Sequence, residues 1–167
     1  MVIVYRSNTG FTREYAEMLG RAEKLKVFSA AEAEHKILPQ EAVFYMGPLM
    51  AGHISGLDQA VKKFSVKGVC GVGMSPASRQ TLETLSKANF APGAPIFYLQ
   101  GGWAPKKVGW LKRRMVNMVT KSTRESLRAK GSRRTPEEDR QLSFLLHGGS
   151  YVAFENLAAI RGWIKEQ

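Results

Sequence analysis

The strongest constraint on this chain is an alternation. Short apolar runs at Val2–Arg6, Lys26–Ser29, Ala42–Met46, Gly68–Gly73 and Ile96–Leu99 are separated by stretches of different character. Thr12–Arg21, Ile54–Phe64 and Ser78–Ala88 have helical periodicity, and a polar, Ala/Glu-rich segment follows Ser29. In the middle stretch Ile54, Leu57, Val61 and Phe64 share one stripe. Strands of four to six residues that alternate with helices of about ten predict a parallel, doubly wound sheet. Its crossovers are expected to be right-handed. A length of 167 residues suits one domain over 1–167, with no internal repeat and no low-complexity linker.

After Gly102 the pattern changes. Val108, Leu111, Met115, Met118 and Val119 fall on one helical stripe, Lys112 projects near it, and Arg113, Arg114 and Lys121 lie opposite. This predicts an amphipathic helix of about four turns. Thr135 then reads as an N-cap, Pro136 as the first helical residue and Glu138 as the third member of a capping box. That helix should run through Leu145 and stop at Gly148–Gly149, and Phe154–Lys165 should close the chain as a last amphipathic helix.

Charge separates the same region from the rest. Of 25 basic and 14 acidic residues, eleven basic ones and the single acid Glu125 fall between Lys106 and Arg134. The remainder is nearly neutral, so the net charge of +11 is a local device. Residues 106–134 therefore read as a basic helical insertion after the fifth strand.

Other signals exclude classes. The one cysteine, Cys70, sits in the apolar run GVCGVG, which permits no disulfide framework and suits a buried apolar side chain. A reducing compartment, most simply the cytoplasm, is expected. The opening VIVY run is too short for a signal sequence or a span, and no other stretch is long and charge-free enough to cross a bilayer. His35, His53 and His147 are scattered, without metal-ligand spacing, and no acid–base dyad stands out.

The turn after the first strand, Ser7-Asn8-Thr9-Gly10-Phe11-Thr12, joins a buried strand directly to a helix. Such a turn aims unpaired amides and the positive end of the helix dipole at the crevice beyond the strand ends. An anion binds there without a lysine. Ser7, Thr9 and Thr12 add hydroxyl donors, and Gly10 lets the backbone approach closely. The alternative reading is an ordinary turn with Thr12 as a plain N-cap. Neither GxxxxGK[ST] nor GxGxxG is present. The first and third strands end in Arg6-Ser7 and Met46-Gly47, which lack the acids of a phospho-acceptor receiver domain.

The segment SNTGFT, Ser7 to Thr12, resembles the [ST]-x-T-G-x-T phosphate loop of the flavodoxin family. VFYMGPLMAGHISGL (Val43–Leu57) resembles the family's strand and loop on one side of the flavin, and GVGMSPAS (Gly71–Ser78) its second flavin-contacting loop. The likeness spans the chain, including IFYLQGGWAPKKVGWLKRRM and RRTPEED. It is closest to the subgroup that contains the oxygen-independent protoporphyrinogen dehydrogenases, which resemble this chain in the basic, aromatic segment. The resemblance implies a flavodoxin-like five-stranded parallel sheet in the order 2-1-3-4-5. It also implies FMN as cofactor. Ser7, Thr9, Gly10 and Thr12 would hold the phosphate with the backbone of Asn8 and Phe11. Pro48, Leu49, Met50, Ala51 and Gly52, with Gly47 before them, would flank the isoalloxazine ring on one side, and Met74, Ser75 and Pro76, through Ser78, on the other. Gly101, Gly102 and Trp103 would approach it from the fifth strand. Met50 stands where subgroup members often carry an aromatic residue. Its polarizable sulfur can pack on a ring, and Trp103 is either the aromatic partner or a packing residue.

An FMN-dependent oxidoreductase, protoporphyrinogen dehydrogenase-like by resemblance, or an electron-transfer protein is the expected function. A cationic segment after the fifth strand would favour an anionic reduced flavin and two-electron chemistry. Four uses compete for residues 106–134, the first three in descending order. They recruit a small anionic substrate or make a peripheral membrane contact, aided by Trp103 and Trp110; they dock an acidic redox partner; they bind nucleic acid, for which no recognised module is present; or they remain a solvated face. The alternative function is a flavin-free binding module that uses the basic helix for an anionic partner.

Overall fold

The computed structural model describes residues 1–167, Lys112 by its backbone alone. It divides into two compact units, the first comprising Met1–Gly101 with Tyr151–Gln167 and the second Gly102–Ser150.

The first unit is built on five parallel strands: β1 (Val2–Tyr5), β2 (Val27–Ser29), β3 (Ala42–Met50), β4 (Ser65–Gly73) and β5 (Ile96–Gln100). They lie in the order β2-β1-β3-β4-β5, the expected flavodoxin-like arrangement. Successive residues of a strand point to opposite faces, and here both faces are buried. Val2, Val4, Val43 and Tyr45 enter one core with Leu57, Ala60 and Leu85. Ile3, Phe44 and Met46 enter the other with Tyr15, Leu19, Leu157 and Ile160. The first core lies under α2 (Ala30–Lys36), α3 (Leu57–Lys63) and α4 (Arg79–Ala88). The second lies under α1 (Phe11–Glu23) and the C-terminal helix Ala158–Lys165. Cys70 is fully buried in that second core.

Several boundaries differ from expectation: β3 runs on to Met50 and β4 begins at Ser65. Ile54 belongs to no helix: His53–Ile54 is a short strand that pairs antiparallel with Leu49–Met50. The turn between them has positive φ at Ala51 (49°) and Gly52 (84°), the geometry of a two-residue hairpin that matches strand twist. Gly56 (φ 84°) then redirects the chain into α3. The Ala/Glu-rich segment is helical as α2, because Ser29 and Glu32 form a reciprocal capping box at its start. At the C-terminus the expected single helix begins with a 3-10 turn at Phe154–Leu157.

The second unit opens and closes on a two-stranded antiparallel ribbon, Gly102–Trp103 against Gly149–Ser150. Between them lie α5 (Trp110–Val119), α6 (Lys121–Ala129), a 3-10 turn at Gly131–Arg133 and α7 (Pro136–His147). The C-terminal helix of the first unit is therefore α8. The expected amphipathic helix is present as α5, shorter than four turns; it ends at Thr120, which is also the N-cap of α6, a helix not among those the sequence predicts. The expectation for the Lys112 side chain lies outside the described residues. The predicted capping box of α7 is present, with Thr135 Oγ1 accepting from Glu138 N and Glu138 accepting from Thr135 N. Leu127 of α6 and Leu142 and Leu145 of α7 are buried, and Arg134 bonds both Asp139 and the Leu127 carbonyl. Among the described residues no helix is long and apolar enough to cross a membrane.

Candidate functional site

The strand order reverses between β1 and β3, because β2 lies on one side of β1 and β3 on the other. Open parallel sheets form a crevice at such a point, beyond the carboxyl ends of the strands. In the first unit, four of the segments singled out from the sequence lie at those ends. Ser7–Thr12 follows β1, Pro48–Gly52 completes β3 and its hairpin, Met74–Pro76 follows β4, and Gly101 follows β5. Gly102 and Trp103 belong to the second unit, where Trp103 is 6% exposed and its Nε1 has no hydrogen-bond partner.

The loop after β1 closes on itself through Gly10 N, which donates to Ser7 Oγ at 3.1 Å. Ser7 keeps its own hydroxyl proton for another acceptor. Gly10 is the N-cap of α1 and adopts φ 106°, a conformation that glycine takes without penalty. A Cβ built there would meet no atom within 4 Å, so the space beside the turn is open. No side chain caps α1, whereas α2, α4 and α7 each have a side-chain cap, at Ser29, Ser78 and Thr135. Thr12 is only 2% exposed, a buried polar side chain in the first turn of the helix. An open glycine turn, an uncapped helix start and the hydroxyls of Ser7, Thr9 and Thr12 have the chemistry of an anion-accepting turn.

The second wall is the β3 hairpin. Gly47 sits where a Cβ would fall 2.7 Å from Ile54 Cγ2 and 2.8 Å from the Ser55 carbonyl oxygen, so the hairpin folds flat onto its own strand. Ser55 N donates to the Pro48 carbonyl at 3.0 Å, and the Tyr45 hydroxyl to the Ser55 carbonyl at 2.7 Å. Asn89, just past α4, donates to the Gly52 carbonyl and accepts from Ile54 N. Met50 is exposed, and its sulfur accepts from Asn8 Nδ2 at 3.8 Å, which joins the hairpin to the loop after β1.

The third wall is the segment after β4, and residues of β5 hold it. Tyr98 Oη donates to the Ser75 carbonyl at 2.6 Å and Gln100 Nε2 to the Met74 carbonyl at 3.3 Å. Gly101 N donates to the Gly73 carbonyl at 2.8 Å. A Cβ on Gly101 would lie 2.7 Å from Val72 Cγ1 and 3.2 Å from Phe11 Cβ, so glycine here lets the end of β5 approach the loop after β1. Burial pushes the Tyr98 phenol up to about 12, and the Tyr45 phenol likewise. Both remain protonated donors at neutral pH.

Two depressions adjoin these walls. One of about 310 Å³ lies between the hairpin and the start of α4 and is lined by Leu49, Gly52, Ser75, Ser78 and Thr81 among others. The other, of about 530 Å³, lies on the β2 side of the loop after β1 and includes Arg6, Ser7, Asn8, Arg13, Ser29 and Gln59.

Several of these positioning residues gave no signal in the sequence. Asn89 reads as an ordinary helix-end residue, and Tyr98 and Gln100 as the alternate positions of a strand. Arg6 reads only as the polar end of β1. Compared with models of known protein families and with curated proteins, the chain matches none.

Proposed function

We propose that the first unit binds FMN, and that the protein is a flavodoxin-like oxidoreductase or electron-transfer protein. The observation that carries this reading is the uncapped start of α1 behind the open Gly10 turn, at the β1/β3 reversal. Ser7, Thr9 and Thr12 would donate hydroxyl hydrogens to the phosphate, with the amides of Asn8 and Phe11. Pro48–Gly52 and Met74–Ser78 would flank the ring, Met50 packing through its sulfur. When bound, the flavin supplies hydride or electron transfer, and the protein sets its orientation and surroundings. Tyr98, Gln100 and Asn89 keep the two walls in place through neutral hydrogen bonds, with no proton moved at neutral pH.

The basic segment 106–134 would receive a small anionic substrate or an acidic redox partner. With one cysteine and so no internal disulfide, the protein would work in a reducing compartment, most simply the cytoplasm.

The test is reconstitution. Purified protein titrated with FMN should shift the flavin absorbance bands and quench its fluorescence. Thr9→Ala combined with Thr12→Ala should weaken the complex by about 1.5–3 kcal/mol or more, the scale of a hydrogen bond to a charged group. No perturbation of the flavin by the unaltered protein would leave the alternative, a flavin-free binding module. Unchanged affinity in the double variant would place the phosphate elsewhere.

A further inference from the structure

Helix α5 faces the wrong way for a helix of a globule. Leu111, Met115, Met118 and Val119 occupy an arc of about 100° on its surface. In a helix packed on a core that arc is the buried side. Here these four residues and Trp110 are between 53% and 77% exposed, while Val116, beside the Val119 edge of the arc, is half-buried. The helix thus turns its broad apolar side to solvent and is covered along the flank at Val116. Contiguous exposed apolar surface of this kind marks an interaction face.

The charge around the face indicates what covers it. From Gly102 to Arg124 there is no acidic residue. Arg114 and Trp110 lie towards one edge of the apolar arc, Lys106 and Lys107 precede the helix, and Arg113 is on the opposite side. Among the described residues, Lys106, Lys107, Arg113 and Arg114 make no ion pair; the carboxylates of the second unit pair with Lys121, Lys130, Arg134 and Arg140 instead. A second copy of the chain would bring the same cations face to face. A nucleic acid would meet the cations and leave Leu111, Met115, Met118 and Val119 in water. An anionic bilayer satisfies both groups at once: its acyl boundary receives the apolar arc, and its headgroups receive the flanking cations.

We propose that α5 is an interfacial helix, lying in the plane of an anionic lipid bilayer with Leu111, Met115, Met118 and Val119 below the headgroups. Trp110 would sit at headgroup level, and Lys106, Lys107 and Arg114 would contact lipid phosphates. The proposal does not rest on FMN occupying the first unit.

Flotation of the full chain with vesicles tests it. Vesicles of phosphatidylcholine and phosphatidylglycerol should carry the protein, and phosphatidylcholine vesicles should retain at least ~10-fold less. The variant L111Q/M115Q/M118Q/V119Q keeps every charge and should lose at least ~10-fold in partitioning. The variant K106Q/K107Q/R114Q keeps the apolar face and should lose a similar factor on anionic vesicles. Trp110 emission should shift to the blue on binding, identified by its absence in Trp110→Phe. All substituted side chains except Lys107 and Lys106, which precede the helix, are exposed on α5, and a circular dichroism melt checks that each variant is folded. No vesicle binding, or binding unaffected by the four glutamines on the apolar face, overturns the proposal. So does loss of the exposed face to a dimer in solution, or retention by nucleic acid in place of vesicles.

Discussion

Asn89 Nδ2 donates to the carbonyl of Gly52 at 2.9 Å, a hydrogen bond across 37 residues of sequence. The same amide group accepts from Ile54 N at 2.7 Å and donates to the Leu85 carbonyl at 2.8 Å. One side chain thus ties the end of α4 to the turn and the return arm of the β3 hairpin, a wall of the candidate site. Asn89→Ala removes all three bonds and leaves the part-buried Ile54 amide without its acceptor. The expected loss is about 2–3 kcal/mol in urea unfolding; on the proposed function, FMN binding should weaken as well, because the hairpin is released. A variant as stable as the parent would mean that the hairpin holds itself.

Gly47→Ala should fail for a different reason. The added methyl would collide with Ile54 Cγ2 and the Ser55 carbonyl, one of which is backbone and cannot swing away. Overpacking of this kind costs about 1–3 kcal/mol. The measurement is again an unfolding midpoint, and the parallel core should remain intact in far-UV circular dichroism.

Ala51 offers the opposite sign. Its φ of 49° places a β-carbon in the left-handed region on an exposed turn. Ala51→Gly relieves about 1 kcal/mol of strain, offset in part by the greater freedom of glycine in the unfolded chain. A small rise in melting temperature is expected.

Stability should decline towards both ends of the pH scale. Hydrogen bonds from Ser29 and from Lys36 hold the Glu32 carboxyl at about 2, below its ordinary 4.5. A lowered folded value gives stability that is complete above 4.5 and lost as pH falls through about 2. Glu138 is shifted the same way by Lys130 and by the Thr135 amide, and Glu34 by Lys63. On the alkaline side, burial raises Tyr45 and Tyr98 from 10 to about 12. The unfolded chain ionises first, so stability falls as pH rises from 10 towards 12. Thermal melts across pH check both limbs, and Glu32→Gln should flatten part of the acid limb.

The physical reasons why some features were legible and others were not can be seen in single residues. Val2, Ile3 and Val4 are apolar without alternation because both faces of β1 are covered, and a short uninterrupted run is the mark of a doubly wound sheet. The capping box at Thr135 and Glu138 is local chemistry, readable over four residues. Ile54 misled because a buried position satisfies a helical stripe and a hairpin equally well; the positive φ values at Ala51, Gly52 and Gly56 decide between them. Periodicity also disclosed the apolar side of α5 but not what lies against it, since a pattern of residues carries no information about the partner surface. Asn89 was silent because its three partners are a glycine carbonyl, a strand amide and a helix carbonyl, none of which has a side-chain signature.

The Tyr15 hydroxyl donates to the Gln100 carbonyl at 2.7 Å and accepts from Asn156 Nδ2 at 2.7 Å, while Tyr151 N donates to the Gly101 carbonyl at 2.7 Å. The chain therefore leaves the first unit at Gly101 and re-enters it at Tyr151 through one doorway, latched from inside by a buried phenol. An excursion that begins and ends at the same threshold imposes no spacing on its host. A short loop from Gly101 to Tyr151 in place of residues 102–150 should therefore leave the parallel sheet folded, with its far-UV circular dichroism as the check.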